Sequence, residues 1–108
     1  MIAGAYWEES NQTTITNGAP GSMDDLALSA GAAYVFKRTG TTWAEEAYLK
    51  APNAQASDEF GGRVAISGNT IVVGATLEDS NQTIITNGTS ASTDNSFPYA
   101  GASYVFKR

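Results

Sequence analysis

The chain has 108 residues, 42% of them hydrophobic, with six basic and eleven acidic side chains for a net charge of −5, and it contains neither cysteine nor histidine. That is room for one domain with a core, and too much apolar content for general disorder. It excludes disulfide frameworks, thiol or imidazole catalysis and the usual zinc sites, and the scattered lysines and arginines exclude nucleic acid as a partner.

In chain order, six strands are expected, at about 1–6, 32–38, 42–50, 62–67, 70–76 and 102–108. The first, Met1-Ile2-Ala3-Gly4, leads into a long polar loop. Within that loop Asn17-Gly18 signals a tight turn, and Thr13 to Thr16 reads as a small extra strand leading into it. The second strand alternates Ala32, Tyr34 and Phe36 against Ala33, Val35 and Lys37. Gly40 suits a hairpin to the third, which carries Trp43, Glu45, Ala47 and Leu49 on one face, with Trp43 expected in the core. Helix is the competing reading of 43–50, since Ala, Glu, Leu and Lys favour it, but the segment is short for a helix and strand signals surround it. Val64 and Ile66 alternate with Arg63, Ala65 and Ser67, and Gly68-Asn69 turns directly into Thr70-Ile71-Val72-Val73. A second long loop then runs through Thr83 to Thr86, another small strand, and Asn87-Gly88 to the last strand.

The chain repeats itself. Gly4-Ala5 returns as Gly74-Ala75, Ser10-Asn11-Gln12-Thr13 as Ser80-Asn81-Gln82-Thr83, and Tyr34-Val35-Phe36-Lys37-Arg38 as Tyr104-Val105-Phe106-Lys107-Arg108. Residues 1–38 and 71–108 are thus copies at a period of 70 residues, aligned without a gap, and residues 39–70 occur once. Loops this much longer than the usual ~4–6-residue connection are functional or disordered. Strict repetition of their length and residues favours a defined shape.

Phe60-Gly61, then Val64-Ala65-Ile66-Ser67-Gly68, then Ile71-Val72-Val73-Gly74-Ala75 resembles the FG-GAP repeat, and the strands at 42–50 and 102–108 are similar to the rest of a bacterial unit of that family. The family's proline is replaced by Thr76 in one copy and Tyr6 in the other. The resemblance implies an all-β fold of antiparallel β-propeller-like blades, four strands to a blade. This chain would supply strands two to four of one blade and one to three of the next, two incomplete blades completed by oligomerisation or by neighbouring blades of a longer chain. A lone six-stranded sheet or sandwich is the alternative. Integrin-like members bind calcium in a loop between their first two strands, where this chain has only Gly68-Asn69, with no room for such a site.

The repeated loops carry the candidate site: Glu78, Asp79, Asn81, Asp94 and Asn95 in one, Glu8, Glu9, Asn11, Asp24 and Asp25 in its copy. Oxygen ligands clustered on a loop suit calcium, which takes ~6–8 of them, although the spacing is not that of an EF-hand. Turn-forming Asn, Asp and Ser on a solvated loop give the other reading. No cofactor other than calcium is implied. Trp7, which is Leu77 in the other copy, is a candidate for stacking on a sugar or protein partner. Asn11-Gln12-Thr13, Asn81-Gln82-Thr83 and Asn87-Gly88-Thr89 fit the N-glycosylation pattern, which matters only in a eukaryotic secretory pathway.

The leading expectation is a non-enzymatic scaffold or interaction module that binds protein or carbohydrate through its loops. A calcium-dependent adhesion module comes second, and a carbohydrate-active hydrolase built on the paired carboxylates third. The resemblance places the protein outside the cell or at its surface. No apolar run reaches the ~20 residues of a membrane helix, and no basic start with an apolar stretch marks a signal peptide.

Overall fold

The structure, a computed structural model, describes residues 1–108 and is built of strands and loops alone. Seven strands form: β1 (Ile2–Ala5), β2 (Thr16–Asn17), β3 (Ala32–Thr39), β4 (Thr42–Leu49), β5 (Phe60–Ser67), β6 (Thr70–Ala75) and β7 (Ala102–Lys107). They make two antiparallel sheets, ordered β1-β3-β4-β2 and β5-β6-β7, and neither closes into a barrel. The six expected strands are all present, the segment at 42–50 included. Of the two small loop strands only Thr16–Asn17 forms, by pairing with Tyr48 and Ala47 on the outer edge of β4. Its copy at Thr86-Asn87 has no such edge beside it, because nothing follows β7 in the second sheet.

The sheets face each other. Ala33, Val35, Ala47 and Leu49 from the first pack on Phe60, Ile71, Val73 and Ala75 from the second, flanked by the half-buried Val64, Ile66, Tyr104 and Phe106. Phe60, fully buried, presents its edge to Tyr104 and Phe106 at centroid distances of 5.3 and 6.1 Å. A ring of this size with such contacts dominates a core this small.

The backbones come close where glycines allow it. A Cβ on Gly4 would run into the Gly61 carbonyl oxygen, one on Gly31 into that of Phe60, and one on Gly61 into that of Ala32. Gly61 also has a φ of +95°, where any other side chain is strained. The Phe-Gly pair therefore has two jobs: the ring fills the space between sheets and the glycine lets them meet.

Trp43 is not in the core but about half exposed. Between Val35 and Phe36 the β3–β4 pairing slips, so that Val35 faces Ala47 while Phe36 faces Glu45, and Glu46 is the extra residue of a bulge. Pairing across a bulge moves the following residues to the opposite face. Ala47 and Leu49 point at the second sheet; Trp43 joins Arg38 on the other side, its ring 6.0 Å below the guanidinium.

Candidate functional site

The two long loops, 6–31 and 76–101, fold alike because the same side chains tie them from within. Ser10 and Ser80 each accept from a backbone N–H two residues on, Gln12 and Gln82, at 3.0 Å in both copies. The Asn11 and Asn81 amides donate to Asp24 and Asp94, also at 3.0 Å. Gln12 Nε2 donates to the Thr14 carbonyl at 2.7 Å and Gln82 Nε2 to that of Ile84 at 2.9 Å; each also donates to a threonine hydroxyl, Thr16 or Thr86. Each loop closes on itself by a backbone hydrogen bond, the Gly31 N–H donating to the Glu8 carbonyl at 2.9 Å and the Gly101 N–H to the Glu78 carbonyl at 2.8 Å. Ser29 and Tyr99, equivalent residues, share the left-handed backbone with φ of 53° and 60°. Polar residues whose side chains bond the local backbone in this way fix a turn without secondary structure.

Asp24, Asp94 and Asp79 are the loop candidates whose carboxylates are tied within their own loops, whereas the Glu9, Asn11, Asp25, Asn81 and Asn95 side chains make no hydrogen bond. Asp24 accepts from the Ser22 and Ser10 hydroxyls and from the Asn11 and Leu26 amides. The Ser22 hydroxyl above all, then the Asn11 amide, holds its carboxyl well below the usual range. Asp94 is lowered likewise by the Asn81 amide and Ser96. Asp79 accepts from the Tyr99 amide at 2.7 Å, and the Glu9 carbonyl from that of Ala27 at 2.7 Å. Nowhere do three of the acidic side chains converge on a point that could hold a metal ion.

Glu8 and Glu78 sit deeper and differ from each other. Glu8 meets Lys50, whose ammonium donates to Glu8 Oε2 at 2.8 Å and to the Ser10 and Gly31 carbonyls at 2.7 Å each. Lys50 is almost wholly buried and follows directly on β4. Glu78, equally buried, accepts only from the Ser80 amide at 3.1 Å and from Asn53 Nδ2 at 3.3 Å. Asn53 is held in turn by the Ser92 carbonyl and the Tyr104 hydroxyl. No cation reaches Glu78, since the ion pairs of the chain are Lys50–Glu8 and Arg108–Glu46. Burial raises the Glu78 carboxyl, and the charge of Asp79 adds to the effect. Asp58, buried beside it with Oδ2 unpartnered, is pushed up to about 6 by burial and then by Glu78.

The copies also differ in what covers them. Val35 is fully buried against the second sheet, whereas its equivalent Val105 is 67% exposed and Val72 beside it 39%. The loops present Met23, Leu26, Leu28, Ile85, Phe97 and Tyr99 to solvent. Trp7 is exposed too, tilted against Tyr6 at 5.1 Å. Sequence reasoning singled out the acidic residues and Trp7 but missed Lys50, Asn53 and Asp58. The available signal was a lysine placed directly after the apolar end of a strand.

A family model described as FG-GAP repeat matches residues 43–106. No curated protein and no solved structure matches the chain.

Proposed function

The chain belongs to the FG-GAP repeat family, and from that premise we propose that it is a β-propeller-type interaction module, without catalytic activity, that works outside the cell or at its surface. The observation that carries this reading is the mismatch in burial between equivalent faces. The Ala33–Val35 face of the first sheet is covered by the Tyr104–Phe106 face of the second. The opposite faces differ: Tyr34 and Phe36 of the first sheet are half-buried, whereas Val72 and Val105 of the second are exposed.

The exposed Val72–Val105 face is the counterpart of the buried Val35 face, so the Tyr34–Phe36 face of another copy can meet it as Tyr104 and Phe106 meet Val35 within the chain. A contact between unlike surfaces is heterologous; it propagates from copy to copy and closes into a ring when the rotation permits. The module joins others head to tail, within a longer chain or between chains. The repeated loops then line the assembly at regular intervals, offering apolar and aromatic side chains to a protein or carbohydrate partner.

A calcium-dependent adhesion module is the competing reading. What favours the first is that Asp24, Asp79 and Asp94 accept from amides and hydroxyls of their own loops and that no three acidic side chains converge. Light scattering across a concentration series tests the proposal, with calcium and with chelator. Assembly beyond a monomer is expected in both conditions. A compact monomer throughout contradicts head-to-tail association, and an assembly that chelator dissolves favours calcium.

A further inference from the structure

In the first copy β4 lies in a slot between β3 and β2, and Lys50 at its end plugs a socket of three oxygens: the Glu8 carboxylate and the Ser10 and Gly31 carbonyls. In the second copy both walls of that slot are present, no strand lies between them, and the Asn53 amide rather than a lysine donates to the glutamate, at 3.3 Å. One wall is the free edge of β7; the other is the loop carrying Thr86 and Asn87, equivalents of Thr16 and Asn17, tied by Gln82 as the first is by Gln12. Between them runs a cleft of about 990 Å³, lined by Gln82, Thr86, Tyr104 and Phe106 among others and reaching Glu78, Ser80 and Gly101 at its base. Those last three residues are the equivalents of the lysine socket. Glu78 is buried there without a cation, and Asp58 close by has a buried carboxyl oxygen with no partner at all.

We propose that this cleft is an acceptor for one extended segment of the Thr42–Lys50 kind: a strand that pairs with β7 and carries a lysine directly after its last paired residue, the ammonium entering the Glu78, Ser80 and Gly101 socket. Strand addition to an open edge supplies affinity through main-chain hydrogen bonds and specificity through side-chain pockets. The lysine supplies the specificity, because a buried carboxylate rewards a cation placed against it and rejects a strand without one. The inference rests on the propeller-type reading and names the chemistry of the segment that completes the second blade.

The test uses the whole chain at low concentration and a synthetic peptide of the sequence Thr41–Lys50. Titration calorimetry should show one peptide bound per chain. A peptide with Lys50→Met should bind about tenfold more weakly or worse. A chain with Glu78→Gln should lose a similar factor for the native peptide and almost none further for the Met peptide. The peptide substitution leaves the chain intact, so the comparison holds even where Glu78→Gln disturbs folding. Equal binding of both peptides overturns the lysine socket. Absence of binding by a chain that still associates head to tail overturns the acceptor and leaves the module reading standing, with a second copy covering the edge. Absence of binding by a chain that is also a monomer at all concentrations overturns both.

Discussion

Lys50 is held by acceptors that lie 19 to 42 residues away in sequence. Its side chain is fully buried, and its charge is balanced by one carboxylate that is itself mostly buried. Removing one partner of such a pair strands the other charge, which costs about 3–5 kcal/mol, whereas removing both together costs far less. Lys50→Met should therefore destabilise by that amount in urea denaturation, and adding Glu8→Gln to it should recover a substantial part. An equal loss in the double variant would mean that packing of the stem, rather than charge, holds the first loop.

Asp58 makes a second prediction at this scale. Its carboxyl titrates near 3.8 when unfolded and at about 6 when folded, under the influence of burial, Glu78 and Asp79. The stability that goes with the neutral carboxyl is complete below 3.8 and is lost as the pH rises through 6; Glu78 acts in the same direction. Asp24 and Asp94, with lowered values, act oppositely and lose their contribution only as the pH falls below the ordinary carboxylate range. Asp58→Asn should accordingly stabilise the chain at pH 7, by about 1 kcal/mol after solvent screening, and by less at pH 5. A benefit independent of pH would show that the carboxyl is not strained by its charge.

Among the elements, the strands were legible because alternation, β-branched runs and Gly-Asn or Gly-containing turns are local signals. The loops were legible in part: repetition of length and residue type announced a defined shape, which internal bonds from Ser, Asn, Gln and Asp then supply. Spacing along the chain does not reveal that Asp24 turns back to Ser10 and Asn11. Trp43 was misplaced for a similar reason. The bulge at Glu46 leaves no mark on the sequence, yet it reverses every face that precedes it along β4. Lys50 and its socket lay beyond reach because three distant segments converge to form it.

The Phe-Gly contact is testable by paired substitutions. Phe60→Ala should cost about 3–5 kcal/mol, as for a buried ring with no room to collapse. Gly4→Ala should be severely destabilising, since its Cβ would meet the Gly61 carbonyl, whereas Gly74→Ala at the equivalent position has its nearest neighbour at 3.6 Å and should stay within about 0.5 kcal/mol of the parent. Thermal melts of the two variants check this. Equal losses would mean that the close approach of β1 and β5 is not what the glycine is for.

For the whole molecule, 21 of 108 residues are buried, and equivalent valines are covered in one copy and bare in the other. So thin a core, with the Val72–Val105 face exposed, belongs to a unit that gains stability from neighbours of its own kind. In arrays of this sort stability grows with each interface added. The direct measurement is chemical denaturation of the chain against a version in which the 70-residue period 1–70 is repeated once more ahead of it. A higher unfolding midpoint is expected for the longer chain, with cooperative unfolding of both, because the new interface completes the burial of the half-buried Tyr34–Phe36 face and supplies a complete blade. A longer chain that unfolds at the same midpoint as the parent would show that the two sheets are sufficient in themselves and that their outer faces do not meet.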